Sequence, residues 1–221
     1  MCGRFSSTSQ LQFLLEQFRA EPLGVEGHQP SWNVAPASDI LVVTASPEGA
    51  RQLRALKWGL VPRWAKDPSG ANRMINLRAE TVREKKGWKS TLARKRCIIP
   101  IDGFYEWQDQ GKGQRKQPFY ITSRDFTPLA LAGLWSTWRD PDSGEELFTC
   151  TILTTTANDL MESVHHRMPV ILPPEVWDTW LDPENTDTEE LAKLLVPAPA
   201  SWRCPATTTS RSSATPTPWS P

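Results

Sequence analysis

CIIPIDGFYEWQDQGKGQRKQPFYITS (97–123) is dense in β-branched and aromatic residues and interrupted by one polar turn. CIIPI (97–101) and GFYEWQ (103–108) read as strands. DQGKGQRK (109–116) reads as the turn, and PFYITS (118–123) as the returning strand. The same pattern continues outward on both sides. LALAGLWST (129–137) and LFTCTILTTT (147–156) follow it, while ILVVTA (40–45) and LRALKWGL (53–60) precede it around the turn SPEGA (46–50). Strands in long local runs, without regular strand–helix alternation, predict an α+β protein built on largely antiparallel, barrel-like sheet with flanking helices.

The helices sit at the ends and between the strand groups. STSQLQFLLEQFR (7–19) predicts a helix with Ser7 and Gln10 as a capping box and Leu11, Leu14, Leu15 and Phe18 on one face. The Gly- and Pro-rich segment after it, ending in SWNVAPAS (31–38), reads as a loop, as does VPRWAKDPSGANRM (61–74). INLRAETVREKKGWKSTLARKR (75–96) reads as a polar connection with short helical pieces. ANDLMESVHHRMPVIL (157–172) passes from a short helix into a strand. PPEVWDTWL (173–181) and DTEELAKLL (187–195) are helical, the latter capped by Asp187 and Glu190. From about residue 197 the composition turns to Pro, Ser, Thr and Ala, so 197–221 is expected to be a disordered tail on a domain spanning 2–196.

Bulk properties narrow the function. The 25 basic residues balance the 25 acidic ones, so a polyanion would be met by a local patch and not by a global field. The 11 tryptophans suit a packed core and also suit surfaces that stack on or wedge between bases. Four cysteines without a C-x-x-C pair, and only three histidines, argue against a zinc site, and no metal or cofactor is expected. Cys97 and Cys150 lie in apolar strands and read as buried thiols. No apolar run approaches the ~18 residues of a membrane span, and the N-terminus lacks the apolar stretch of a signal peptide. A reducing, cytoplasmic location is expected.

The chain opens MCGRF, which places a cysteine directly behind the initiator methionine. Loss of Met1 leaves one residue bearing both an α-amine and a thiol, groups that titrate near ~7.7–8.0 and ~8.5 when unperturbed. Two uses are open. The thiol can attack an amide with the amine as base, as in N-terminal nucleophile hydrolases. Alternatively the amine captures an aldehyde as an imine and the thiol closes a five-membered ring, an intramolecular step favoured by effective molarities of ~10⁵–10⁸ M. A non-covalent single-strand binding module is a third reading.

Other candidates surround this one. Strand alternation puts Phe104 and Glu106 on one face of GFYEWQ; a carboxylate among aromatics is partly dehydrated, which raises its pKa toward the range of a working acid/base. In an edge strand the same Glu106 would simply face solvent. His165 and His166 precede Arg167 at a loop-to-strand junction. In an extended segment they point opposite ways, so one of the two enters a given site. Asn76, Arg78 and Glu80 at i, i+2 and i+4 share a face if extended, either as a phosphodiester-binding group or as a polar surface ladder. Trp58 reads as core, and Trp64 beside Arg63 as a ligand contact.

In this order, MCGRF, WNVAPAS, WGLVPRWAK, INLRAET, CIIPIDGFYEW, KQPFYI, LAGLW and HHRMPVIL resemble the SOS-response-associated peptidase family, also called abasic-site processing proteins. The resemblance covers residues 2 to 181. It implies a single α+β domain that recognises abasic sites in single-stranded DNA and forms a thiazolidine between the N-terminal cysteine and the ring-opened sugar, as a monomer that joins the nucleoid when bound to DNA. It also implies self-removal of Met1. Independently, an amine beside a thiol predicts a lyase side activity, since an imine that escapes ring closure permits β-elimination at the 3′ phosphate. Carried over, Cys2 is the nucleophile, Asn76 holds the sugar, Glu106 is the acid/base, and His165 protonates the ring oxygen. Arg4, Arg78 and Arg167 match phosphate-gripping positions, Pro36 and Trp64 a wedge on flanking bases, and Asn33 a supporting loop. Two departures stand out. Ala65 replaces a second wedge tryptophan of some members, and the terminal segment that returns to the domain is expected to be missing.

Overall fold

The computed structural model describes residues 2–199 and the backbone of 206–208. The first half runs β1 (Phe5–Ser7), α1 (Leu11–Phe18), β2 (Glu21–Leu23), β3 (Ser31–Val34), β4 (Asp39–Ala45), β5 (Arg51–Trp58), β6 (Asn76–Arg78), α2 (Ala79–Glu84) and α3 (Lys86–Arg94). The second half runs β7 (Arg96–Ile101), β8 (Gly103–Gln108), β9 (Gln117–Thr122), β10 (Leu129–Arg139), β11 (Glu146–Thr156), α4 (Asp159–Glu162), β12 (Arg167–Pro169), α5 (Trp177–Leu181), α6 (Thr188–Lys193) and β13 (Ala206–Thr208).

Strands β11, β10, β7, β4 and β5 are neighbours in that order through antiparallel pairs. β5 then meets β11 again in a parallel pair, with Lys57 opposite Thr149 and Trp58 opposite Cys150, so the ring closes. Closure removes the open edges that such apolar strands would otherwise expose. Gly133 of β10 permits the tight passage between β7 and β11: a Cβ there would lie 2.8 Å from Cys97 Sγ and 3.0 Å from the Thr151 carbonyl oxygen. A second sheet, ordered β13–β9–β8–β1–β3, packs beside the barrel.

The period of two divides the core. On β4 and β10, Leu41, Val43, Ala130 and Ala132 gather with Phe18, Val82, Leu92 and Trp180 of the helices. Their neighbours Ile40, Val42, Leu129 and Leu131 gather with Phe5, Phe104 and Ile121 of the second sheet. Phe18 stacks on Trp177 at 4.6 Å between ring centres. The guanidinium of buried Arg96 donates to the carbonyls of Leu92, Trp180 and Asp182, which ties the ends of α3 and α5 to β7.

Several sequence expectations change. Helix α1 begins at Leu11, not Ser7, and Gln10 at its start makes no side-chain cap. Ser7 is buried in β1 instead, and the Asp102 carboxylate accepts hydrogen bonds from Thr8 and Ser9, holding the turn between β1 and α1 from 93 residues away. The presumed loop before residue 39 contains β2 and β3, which pair with β5 and β1 respectively. The central meander is not continuous either. The chain leaves the barrel after β7, builds β8 and β9 in the second sheet, and returns as β10 beside β7.

In the stretch expected to be a disordered tail, Ala198 is buried and its carbonyl accepts a 3.0 Å hydrogen bond from Asn158 Nδ2. Residues 206–208 pair antiparallel with β9 as a terminal strand, where a missing element was expected. The other positions from 200 onward, Cys204 included, lie outside the described residues.

Phe5 joins the two layers: its backbone pairs with β8 and β3, and its ring lies 5.0 Å from that of buried Trp58. Truncation by Phe5→Ala should cost about 3–5 kcal/mol, read as a lower urea midpoint at constant slope. A loss below about 1 kcal/mol would show that β1 is not an integral strand.

Candidate active site

Cys2 lies just ahead of β1 and is fully buried. Its carbonyl oxygen accepts a 2.8 Å hydrogen bond from Asn76 Nδ2. Asn76 is held from behind, because the Ile75 carbonyl accepts hydrogen bonds from Trp58 Nε1 (2.9 Å) and from the Ile152 backbone (3.0 Å). With Nδ2 so committed, the buried Oδ1 of Asn76 has no hydrogen-bond partner among the described residues. A polar acceptor left open beside the start of the chain is ready for a ligand hydroxyl.

Glu106 comes from β8, which runs antiparallel to β1; the Tyr105 amide donates to the Arg4 carbonyl at 2.9 Å. The alternation expected from sequence holds, with Phe104 and Glu106 buried while Trp107 is exposed. Glu106 is 2 % exposed. Burial pushes its carboxyl above the ordinary carboxylate value, and the positive charge of the chain's amino terminus pulls it part of the way back. The Cys2 thiol is pushed well up, first by burial and then by the negative charge of Glu106, again opposed by the amino terminus. His165 is shifted down, chiefly by burial and then by that same terminal charge. One positive charge therefore acts on all three groups.

Arg167 orients His165. His165 Nδ1 accepts from the Arg167 amide at 3.0 Å in one tautomer and reaches the Arg167 carbonyl at 3.2 Å as a donor in the other, so the Arg167 backbone fixes this edge of the ring. The two histidines do not point apart as expected. The chain bends at His166, and the rings stack at 4.4 Å with 21° between their planes. Gln108 at the end of β8 donates to the Ser163 carbonyl, which fastens this segment to the strand carrying Glu106.

Among the phosphate-gripping candidates, the structure separates three situations. Arg78 is exposed. Arg4 is partly exposed and donates from Nη1 to Asn33 Oδ1 at 3.1 Å, which brings β1 and β3 residues together. Arg167 is 7 % exposed and already engaged: Nη1 and Nη2 fork onto the Glu80 carboxylate at 2.8 and 3.0 Å, and Nη2 also reaches the Thr154 carbonyl at 2.7 Å. This pair is the first cause of the lowered Glu80 pKa. The expected shared face of Asn76, Arg78 and Glu80 is therefore absent, because β6 ends at Arg78 and α2 turns Glu80 toward Arg167.

Trp64 is 82 % exposed in the loop after β5, and Pro36 is half-buried after β3. Trp58 is wholly buried, as expected. Of two further residues, Trp32 is supplied by the same SWNVAPAS segment as Asn33 and Pro36, while Lys116 was not singled out from the sequence. Trp32 on β3 is 69 % exposed, and its carbonyl accepts from Tyr105 Oη at 2.8 Å. Lys116 is exposed in the β8–β9 turn, and its charge acts on both Glu106 and His165. Its signal was the cluster of basic residues in GKGQRK, which reads only as a turn until β8 places it beside the site.

Comparison with known proteins agrees with this architecture. The family model described as "SOS response associated peptidase (SRAP)" matches residues 1–210. "Abasic site processing protein YoqW" of Bacillus subtilis is 46 % identical over 198 residues, covering 89 % of this chain and 87 % of that protein. "Abasic site processing protein HMCES" of Gallus gallus is 35 % identical over 201 residues, covering 77 % of this chain and 59 % of its own. A crystal structure of a protein from Bacteroides thetaiotaomicron superposes with a TM-score of 0.84 at 28 % identity, covering 95 % of this chain and 93 % of the other. With its matched residues running through the buried Cys2 and Glu106 and the half-buried Asn76 and His165, the chain belongs to the SOS response associated peptidase family.

Proposed function

We propose that the protein processes abasic sites in single-stranded DNA by covalent capture. The observation that carries this reading is the buried Cys2 itself: Asn76 donates to its carbonyl at 2.8 Å and leaves an acceptor open, and the charge of Glu106 acts on its thiol. Once Met1 is removed, the Cys2 α-amine adds to the aldehyde of the ring-opened sugar and loses water to give an imine. The thiol sulfur then attacks the imine carbon while its proton passes to nitrogen, closing a thiazolidine. The net reaction consumes one aldehyde and one aminothiol and releases one water.

The residues divide this work. Glu106, with its raised pKa, accepts and returns protons during imine formation. His165 delivers a proton to the sugar ring oxygen from Nε2, its Nδ1 edge being held by the Arg167 backbone. Asn76 Oδ1 accepts from the sugar hydroxyl. Arg4 with Asn33, and Arg78, hold phosphates, while Trp64 and Pro36 support flanking bases. Arg167 acts through Glu80 and His165 instead of gripping phosphate directly. The names of the relatives support this substrate, and the absence, among the described residues, of any helix long and apolar enough to cross a membrane agrees with a protein acting on intracellular DNA. We place it in the cytoplasm, on the nucleoid, as a monomer.

A second reading is an N-terminal cysteine peptidase, favoured by the same proximity of thiol and carboxylate to the first peptide bond. Self-removal of Met1 would be this chemistry used once. An imine that escapes ring closure would also permit β-elimination at the 3′ phosphate, a lyase side reaction.

Wild-type protein with a single strand bearing an abasic site should give an adduct stable on a denaturing gel, and Cys2→Ala should give none. Intact mass reports Met1 loss and adduct together; a Met1-free protein that forms no adduct overturns the proposal. Glu106→Gln should slow adduct formation by about 10²–10⁴-fold. The wild-type rate should fall as pH drops through the raised Glu106 pKa, hence at higher pH than for a free carboxylate, and this acid limb should vanish in the variant. An unchanged limb assigns the titration elsewhere. If Met1 removal is autocatalytic, the Glu106→Gln protein should retain Met1 in its intact mass; complete removal would exclude self-processing through Glu106.

A further inference from the structure

A cavity of about 420 Å³ opens between helices α2, α3 and α6, and none of the candidate site residues lines it. Val82 of α2, Leu92 of α3 and Ala192 of α6 close its base and are buried in the helical core. Val196, just past α6, is 48 % exposed at its edge. Arg83 of α2 sets that edge. Its Nη2 donates to the Ala192 carbonyl at 2.6 Å and to the Leu195 carbonyl at 2.9 Å, satisfying acceptors that the end of α6 leaves open. The guanidinium thus ties α2 to the end of α6, beside Val196.

Charge around the opening is one-sided. Arg83, Lys89 and Lys193 line it, one from each helix, against a single carboxylate, Glu189. Arg83 and Lys193 take part in no ion pair among the described residues. Lys89 meets Glu189 at 3.2 Å, but the Glu189 side chain is 81 % exposed, and an exposed pair of this kind contributes little and yields to a competing anion. In a chain of zero net charge, three cations around an exposed valine are a local complement to a ligand both acidic and apolar. Because the cations stand on three helices, a ligand that reaches all of them carries its carboxylates spaced along an extended chain. No aromatic ring lines the cavity, so it lacks the stacking face of a nucleic-acid surface. Residues 200–221 contain no Asp or Glu, so the chain's own end does not supply the complement.

We propose that this surface docks an acidic segment of another protein, with carboxylates on Arg83, Lys89 and Lys193 and one large apolar side chain against Val196. The aliphatic stems of Lys89 and Lys193 add apolar contact while their ammonium groups meet the carboxylates. Since the surface shares no residue with the candidate site, a partner held here leaves the Cys2 chemistry unobstructed, and the inference does not depend on the abasic-strand reading.

The probe is a fluorescein-labelled decapeptide of Gly, Ser and three spaced Asp residues ending in Leu–Phe, titrated with the full chain and read by fluorescence anisotropy. It should bind, and less tightly as salt rises. Lys193→Glu and Val196→Asp, both at exposed positions, should each weaken binding at least about fivefold, and Lys193→Arg should keep it. Melting temperatures confirm that each variant is folded, and adduct yield on an abasic strand should match wild type in all three. No binding by the wild type at about 1 mM peptide would overturn the proposal. Wild-type affinity in both weakened variants would do the same, as would equal affinity for a peptide with Gly–Gly in place of Leu–Phe. Displacement of the probe by oligothymidylate would assign the surface to nucleic acid, and displacement by a peptide of residues 209–221 would assign it to the chain's own end. A dimer in light scattering that Lys193→Glu dissolves would assign it to a second copy. Each of these three results also overturns the proposal.

Discussion

Phe5 is paired on both sides, to Phe104 of β8 and to Val34 of β3, and its side chain packs on Trp58 of the barrel. A chain terminus usually frays because nothing repays the entropy of ordering it. Here the terminus is an inner strand, so moving it would break two ladders and open the core. Everything proposed for the site follows from that constraint. Cys2 cannot swing, Asn76 can be aimed at its carbonyl, and Glu106 arrives from the neighbouring strand at a fixed register.

The same constraint sets the electrostatics. Glu106 and Cys2 are both dehydrated, and the charge of Glu106 further disfavours the thiolate, while the positive amino terminus opposes both shifts. Groups shifted in this way suit proton transfer more than permanent ion pairing. The permanent pair lies one layer back. Buried Arg167 forks onto the half-exposed Glu80 carboxylate while its backbone orients His165, so charge is used there for positioning.

Much of this was readable in the residues, and the exceptions share one cause. The strand runs of β4, β5 and β7 to β11 announce themselves by composition, and Asp187 caps α6 as its spacing suggests, accepting from the amides of Glu189 and Glu190. Trp58 in the core and Glu106 on the buried face of β8 also follow from alternation. What local pattern cannot show is a partner supplied from far along the chain. β1, β2 and β3 are too short to be recognised without the strands they join, and Ser7 loses its capping role because Asp102 provides the bonds. Arg167 looks like a free phosphate ligand until Glu80, 87 positions earlier, is seen beside it. Lys116 became relevant only when the second sheet brought it to the site.

The complete burial of Cys2 has a consequence for the durability of the protein. A thiolate exposed at a chain end is open to peroxide, to disulfide exchange and to every stray electrophile in the cell. This thiol is dehydrated and held protonated, with no surface of its own to offer. Reagents that act on the thiolate find little of that form here until a substrate enters and changes the charge around it.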